Sequence, residues 1–417
     1  MKKLFLLLAG VFLLTACEKE PNTVPVQDDP TIKQSTETIV DYRVSKSTAI
    51  NRAIKAVEGL KGRAESRAEA LRVAKAEVVG SRVASRSGNA ADTLFYLINF
   101  DDNQGFALVA ADERNTDVYM MAEEGSLDLE TLDPESPINY FMDCAEGYAA
   151  YELANDPPEY IPELDSTFRE PSPLDYQLFE IGGETYRCRF EPIRRGTNCF
   201  LSTQWHQQAP YNNRCFANGQ PAYAGCVAIA VAQIMAYHRH PATYNWNAIL
   251  QYPTVSSINT VAANAVATLV SDIGQAVNMN YGSIADGEGS SSNIYQAYAA
   301  LNYDYPYRSD IVRNYSMNNI EHSIETQSPV YVRGVSSSGT GHAWVIDAYN
   351  YEIMRYHCYD PDTLEFVFTT ESAPRDHRVR NNLGWGTTPV WTLSGMFEFG
   401  GQNFSSTIKT ICLIKPM

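Results

Sequence analysis

Of the 417 residues in this chain, its eight cysteines and seven histidines are the groups best suited to chemistry, and one cysteine stands apart. Cys226 lies in "AGCVAIAVAQIMAYHRHP" (224–241), between a glycine and an apolar run whose one polar residue is Gln233 until Tyr237 and His238. Good helix formers fill the run, and Pro241 stops it. A helix that is apolar on all sides is buried. Cys226 is therefore expected to open a central helix, where unpaired N–H groups and the helix dipole favour an anion. Such a site lowers a thiol's pKa and supplies a thiolate at neutral pH. The alternative is a structural cysteine, since free cysteine is among the most buried residue types.

A thiolate nucleophile needs a base within reach, a third group to orient that base, and donors for the oxyanion. His238 and His240 lie at the far end of the helix, roughly 18 Å away at about 1.5 Å per residue, and read as groups near its C-terminus. His342 is better placed, at the start of an apolar strand directly after "SGTG". In "NNLGWG", the Asn382 amide could hold the imidazole's other nitrogen and Trp385 could shield that bond. Gln207, in "TQWHQQAPYN", could supply an oxyanion donor upstream of the cysteine. The order Cys, His, Asn is that of papain-like peptidases.

The elements that must position these residues form two groups. In the first half, Ser47 to about Ala76 has a helical pattern, with Ala49, Ile50, Ala53, Ile54, Val57 and Leu60 on one face. Two alternating runs, Leu94–Phe100 and Gly105–Ala110, flank a turn at residues 101–104 and read as a hairpin. An acidic, proline-rich stretch follows, with a helix near Ile138–Leu153. "YRCRFEPIRRGTN" (186–198) is locally basic and reads as an exposed connector, which places a domain boundary near 180–200. In the second half, helices around Val261–Ala276 and Ile294–Leu301 precede strands at Pro329–Val335, His342–Asn350, Phe366–Thr370, Val390–Leu393 and Thr407–Ile414. Helices first and strands later suggest an α+β domain.

The formal charge of −17 argues against nucleic acid and against a basic membrane-binding face. The chain starts "MKKLFLLLAGVFLLTACEKE", whose apolar stretch Leu4–Leu14 is too short to span a bilayer. "LTAC" (14–17) resembles the lipobox of bacterial lipoproteins, which implies lipidation at Cys17; Glu18 at the next position favours an outer-membrane or surface location. Polar residues 18 to about 45 suit a tether. Cys144, Cys188, Cys199, Cys215, Cys358 and Cys412 form no CxxC pair, so a zinc ribbon is unsupported; export permits disulfides, whose pairing stays open.

The motifs "QWHQQAPYN…AGCVAIAVAQIMAYHRHP", "NYG…GSSS", "PVYVRGV…GHAWVIDAYN" and "NLGWG" occur in order from about Gln204 to the C-terminus. Together they resemble the streptopain family of secreted papain-fold cysteine peptidases, and "LFYLINFDDNQGFALVAADERNTDV" (94–118) is similar to that family's inhibitory prosegment. The resemblance implies a papain-like α+β fold, with a central helix carrying the nucleophile and an antiparallel sheet or barrel, preceded by an α+β prodomain. It places the nucleophile on Cys226, the general base on His342, the oxyanion glutamine on Gln207, the orienting asparagine on Asn382 and the shielding aromatic on Trp385. Substrate-binding positions fall on Tyr281, Gly282, Ser290, Ser291 and Gly341, with an apolar side chain favoured at the second position before the cut. Leu383 and Thr387 depart from the family's Asn-Trp-Gly-Trp-Gly and the glycine after it, which puts a prime-side tryptophan wall in doubt.

The expected organisation is a lipoprotein signal peptide at 1–16, a tether at 17–45, an inhibitory prosegment at 46–185 and a catalytic domain at 186–417. The expected activity is that of an exported, lipid-anchored cysteine endopeptidase made as a zymogen. It would be a monomer that acts on proteins or peptides, is inhibited by its own prosegment, and needs no metal or organic cofactor. Two other readings compete. A Cys–His amidase or transglutaminase acting on cell-wall peptides or glutamine side chains would use Asp or His as third member; Asn382 argues against it, and Asp347, five residues from His342 on one strand, faces the other way. A surface binding lipoprotein with a dead peptidase fold would lack key residues, and all four are present.

Overall fold

A computed structural model describes residues 42–61, 71–80, 93–155, 176–335, 341–398 and 408–417. Cys17, the leader and most of the expected tether lie outside them. In the first half, α1 (Lys46–Lys61) buries Ala49, Ala53 and Val57. Its helical pattern was expected to continue to Ala76, but β1 (Val73–Gly80) begins there instead, with valines that favour extended backbone. β2 (Thr93–Phe100) and β3 (Phe106–Ala110) form the expected hairpin. Its turn holds Asp102 and Asn103 at φ 54° and 56°, a conformation their short polar side chains tolerate. β4 (Val118–Ala122) completes this part of the sheet, and α2 (Pro137–Asn155) packs on it.

The second half opens with a hairpin, β5 (Gln177–Ile181) and β6 (Glu184–Gly196), which turns through Gly182 and Gly183 at positive φ. The stretch 186–198, expected as an exposed connector, is thus mostly a strand. Tyr186, Cys188 and Phe190 alternate with arginines, a period-2 pattern that the local charge concealed. A short hairpin of β7 (Phe216–Ala217) and β8 (Gln220–Pro221) leads to α3 (Cys226–His238). Helices α4 (Trp246–Ile249), α5 (Thr260–Ala276) and α6 (Ile294–Ala299) follow. Next come β9 (Tyr307–Arg308), β10 (Arg313–Asn314) and α7 (Met317–Glu325). The strand-rich part holds β11 (Val330–Val335), β12 (Gly341–Tyr359), β13 (Phe366–Glu371), β14 (Arg375–Asn382) and β15 (Val390–Leu393). The chain ends in α8 (Gly395–Glu398), β16 (Lys409–Ile411) and β17 (Lys415–Pro416).

The main sheet is antiparallel and runs β1-β2-β3-β4-β15-β14-β12-β11-β16-β10, so strands of both halves belong to one sheet. The junction is β4 against β15, with Met121 opposite Trp391 and Met120 opposite Thr392. After the β5–β6 and β7–β8 hairpins, helices α3 to α6 precede the strand-rich part of the second half, in keeping with the α+β reading. Beyond Asn350, β12 continues as the spine of an arm, with β6 on one edge and β13 on the other. Within the arm Cys188 faces Cys358, and the two form a disulfide across 170 residues of chain.

Among the described residues three cores pack on the sheet, one of them under α1 (Ala53, Val57, Ile98, Val109, Ala348 and Trp391), and the other two flank the site. On one face α3 is buried from Val227 to Ala236, packed with Trp205, Tyr211, Val266, Tyr331, Ala343 and Val345. On the other face, Phe95, Leu97 and Phe141 of the first half pack with Trp344, Ile346 and Phe397 of the second.

Candidate active site

The helix α3 begins at Cys226 because Gly225 makes a turn that other residues cannot. Gly225 has φ 88°, and a Cβ there would come within 2.6 Å of the Met279 sulfur. The Cys226 thiol is half-buried and faces the N–H groups of Cys226, Val227 and Ala343. Those donors and the Arg333 cation favour the thiolate, but burial outweighs them and pushes the thiol up from its ordinary value. The expected low-pKa thiolate is therefore absent from this covered form. Desolvation is the physical reason.

His342 is the second residue of β12, opposite Gly334 of β11, and is 8 % exposed. Its Nε2 lies 2.8 Å from the Leu383 carbonyl. A carbonyl only accepts, so Nε2 carries the proton and Nδ1 is left as the basic nitrogen. The ring lies parallel to Trp344 at 6.4 Å and edge-on to Trp385 at 5.9 Å. Burial pushes the imidazole down to about 4, so it too is neutral at pH 7.

Trp385 lies edge-on to the histidine, but the Asn382–imidazole bond it was expected to shield is not formed. The Asn382 Nδ2 donates to the Thr203 carbonyl at 2.5 Å, and its Oδ1 accepts the Gly384 N–H at 3.3 Å. The backbone turn after β14 aims the next carbonyl, that of Leu383, at the ring. A backbone acceptor leaves no signal in residue types, which is why the motif pointed one position too early.

A cavity of about 610 Å³ brings together Cys226, His342, Gln207, Trp385, Gly341, Ser290 and Ser291. Gln207 is only half-buried and its carbonyl ties the segment to Ala224 at 2.9 Å, just before the nucleophile. Ser290 is anchored by donating to the Tyr223 carbonyl at 2.7 Å. Two expected substrate-binding residues are not on the cavity wall. The Tyr281 hydroxyl packs against Gly274 of α5, and Gly282 is pressed on the backbone of Glu288 and Gly289. His206, Gln208 and Tyr223 also line the cavity and were not singled out in the sequence, although two of them neighbour Gln207.

One wall comes from the first half: residues 133–137, Asn139, Tyr140 and Asp143. Behind it, Phe141 and Tyr140 meet Trp344 at 5.4 and 6.0 Å, and Tyr140 occupies the space that a Gly334 side chain would fill. Asp347 faces away from His342. It accepts from Phe200 N, Leu201 N and Arg380 Nη1 at 3.1, 2.8 and 2.6 Å, which removes the acid that an Asp-based triad would need. His238 bonds the Ile414 carbonyl at 2.9 Å. No group of three or more His, Cys, Asp or Glu suited to a metal occurs among the described residues.

The model described as the Peptidase C10 family matches residues 205–243 and 241–387, which contain Cys226, His342 and Gln207. The chain is a cysteine peptidase of the C10 family. Residues 42–144 of this peptidase match a second model, described as Spi protease inhibitor, and they include the wall across the cavity. It is 27 % identical over 303 residues to streptopain of Streptococcus pyogenes, covering 62 % of this chain and 69 % of that protein. It is 26 % identical over 294 residues to the thiol protease/hemagglutinin PrtT of Porphyromonas gingivalis, covering 62 % of this chain and 31 % of that protein. Its fold is similar to that of a fragment of Prevotella intermedia prointerpain A, with TM-score 0.53 and 16 % identity, over 82 % of this chain and all of that one.

Proposed function

We propose that this peptidase is the zymogen of an exported endopeptidase, held to a membrane through a lipid on Cys17, with Cys226 as nucleophile and His342 as base. The observation that carries the reading is the cavity itself. It gathers Cys226, His342 and Gln207, and its open side is walled by a segment that matches a protease inhibitor. Once that wall is withdrawn, water and substrate reach the pair. His342 Nδ1 takes the Cys226 proton, and the thiolate attacks the scissile carbonyl. The Gln207 side chain and the Cys226 N–H hold the oxyanion. His342 then protonates the leaving amine, and later activates the water that breaks the thioester. No step calls for a cofactor.

The proposed organisation keeps the prosegment at 46–185 and the catalytic domain at 186–417, with maturation between about Gly183 and Leu201. Within that window, a cut after Cys188 leaves the two parts joined through Cys358. The resemblance also implies an apolar side chain at the second position before the cut.

The test is covalent labelling of Cys226 by an epoxide-type thiol reagent, with N-terminal sequencing of wild type and Cys226→Ala after incubation. Labelling that appears only as the N-terminus shifts into the 183–201 window supports the zymogen. Full labelling and activity of an uncut chain would remove the inhibitory role of the first half.

A further inference from the structure

Among the described residues, Arg333 on β11 is a cation with no ion-pair partner. It sits opposite Ala343 of β12, whose N–H is one of the groups facing the Cys226 sulfur. Tyr331, Ala343 and Val345 all enter the core on the α3 side of the sheet. Side chains alternate along a strand, so Arg333 points to the side of the nucleophile. Its guanidinium lies over Gly341, where a Cβ would stand 2.7 Å from Nη2, and Gly341 and Cys226 both line the cavity. Its charge is felt by both catalytic groups. The side chain is partly exposed, and among the described residues no hydrogen bond or ion pair engages it. The first half brings Asp133 and Glu135 to the cavity wall, and among the described residues neither forms an ion pair with it.

The flank on which Arg333 sits decides what it meets. β11 and β14 border β12 on opposite edges. Trp385 and Gly386 follow β14, and the Gly386 N–H bonds the Trp205 carbonyl, which ties that flank to the Gln207 segment. In the proposed mechanism His342 protonates the leaving amine, which puts the leaving group on the His342–Trp385 flank and Arg333 on the acyl side. We propose that Arg333 is a specificity residue that selects an acidic side chain, glutamate above all, at the second position before the cut. The proposal rests on the peptidase reading and replaces the purely apolar preference that the resemblance implies. A glutamate that passes Gly341, on the cavity wall beside Arg333, presents its carboxylate to the planar guanidinium fork, which is always charged. An apolar side chain there desolvates the cation and returns no partner.

Four peptides that differ only in Glu, Gln, Leu or Lys at that position test it, with the full chain matured by incubation and its active sites counted by the epoxide label. Wild type should prefer Glu to Gln by about ten-fold or more in kcat/KM, with Lys worst. Arg333→Gln should bring the Glu-to-Gln ratio near one, and Arg333→Glu should move Lys ahead of Glu. A wild-type ratio near one, or a ratio that survives Arg333→Gln, overturns the assignment and leaves the peptidase standing. Hydrolysis of none of the four by label-competent enzyme overturns both.

Discussion

Cys226 and His342 face one cavity but owe their positions to different kinds of structure. Cys226 is fixed locally: a glycine turn starts α3, and the helix is sealed by residues of its own half, among them Trp205, Val266 and Tyr331. His342 stands on a strand whose other face is covered by the first half, where Trp344 meets Tyr140 and Phe141. Its ring is held by a loop carbonyl and dried by that cover. The nucleophile would keep its place without the prosegment, whereas the state of the base depends on it. We propose that latency acts on the state of both groups, since burial in the covered form disfavours the thiolate and the imidazolium alike.

The largest effects fall on the pair. Cys226→Ala should lower kcat by on the order of 10⁴-fold or more with the fold retained, since it trades a small side chain for a smaller one. His342→Ala should be nearly as damaging because the two residues act as a unit. Peptide hydrolysis together with circular dichroism checks both, and substantial activity in either variant would break the comparison at its root.

Next in size is the Cys188–Cys358 bridge, which becomes a clasp between two pieces once the chain is cut after residue 188. Cys188 and Cys358 close a loop of 170 residues, and loss of such a bridge costs about 2–5 kcal/mol. A chain cut after Cys188 should run as one species on a non-reducing gel and as two under reduction, while Cys358→Ser should give two in both. Release of the first half from an unreduced wild-type chain cut after residue 188 would show that the pairing differs.

The same contrast governs what could be read from the sequence. The α3 helix, the Cys226 position and the hairpin at 93–110 were legible because apolar period and turn residues lie within a few positions of each other. The Cys226–His342–Gln207 grouping was legible only from ordered motifs. The Leu383 carbonyl, the Cys188–Cys358 pairing and the β6–β12 ladder were not, since each joins residues far apart in the chain and two of them involve backbone groups. Tyr281 and Gly282 carried a motif into the cleft's support rather than its surface.

A smaller effect separates the two partners by pH. His342 is pushed from its ordinary 6.5 to about 4, so the unfolded chain binds more protons than the folded one between those values, and stability falls as pH drops through that window. The contribution is at most about 3 kcal/mol. Urea midpoints of the uncut Cys226→Ala chain at pH 7, 5 and 4 should decline, and adding His342→Gln should flatten part of the decline. The remainder belongs to His238, also about 4, and to His206, which is lowered as well. An unchanged slope with His342→Gln would show that the covered imidazole is still hydrated.

The smallest effect should come from Asn382, and it sharpens the comparison most. In this form its amide joins the Thr203 carbonyl to the Gly384 N–H, so it braces the turn that carries Leu383 and does not touch the ring. Asn382→Ala removes that brace but cannot remove a backbone carbonyl. It should cost about ten-fold in kcat for matured enzyme, far less than His342→Ala, with a stability loss of about 1–3 kcal/mol from the orphaned Thr203 carbonyl and Gly384 N–H. Asn382→Asp separates bracing from orienting. An acid cannot donate to Thr203 when ionised, so a bracing role is lost, while a carboxylate able to reach His342 would raise the basic limb of the pH–rate profile. If Asn382→Ala proved as damaging as His342→Ala, the Leu383 bond would belong to the covered state alone, and withdrawal of the prosegment would have to rotate the imidazole from the carbonyl to the amide.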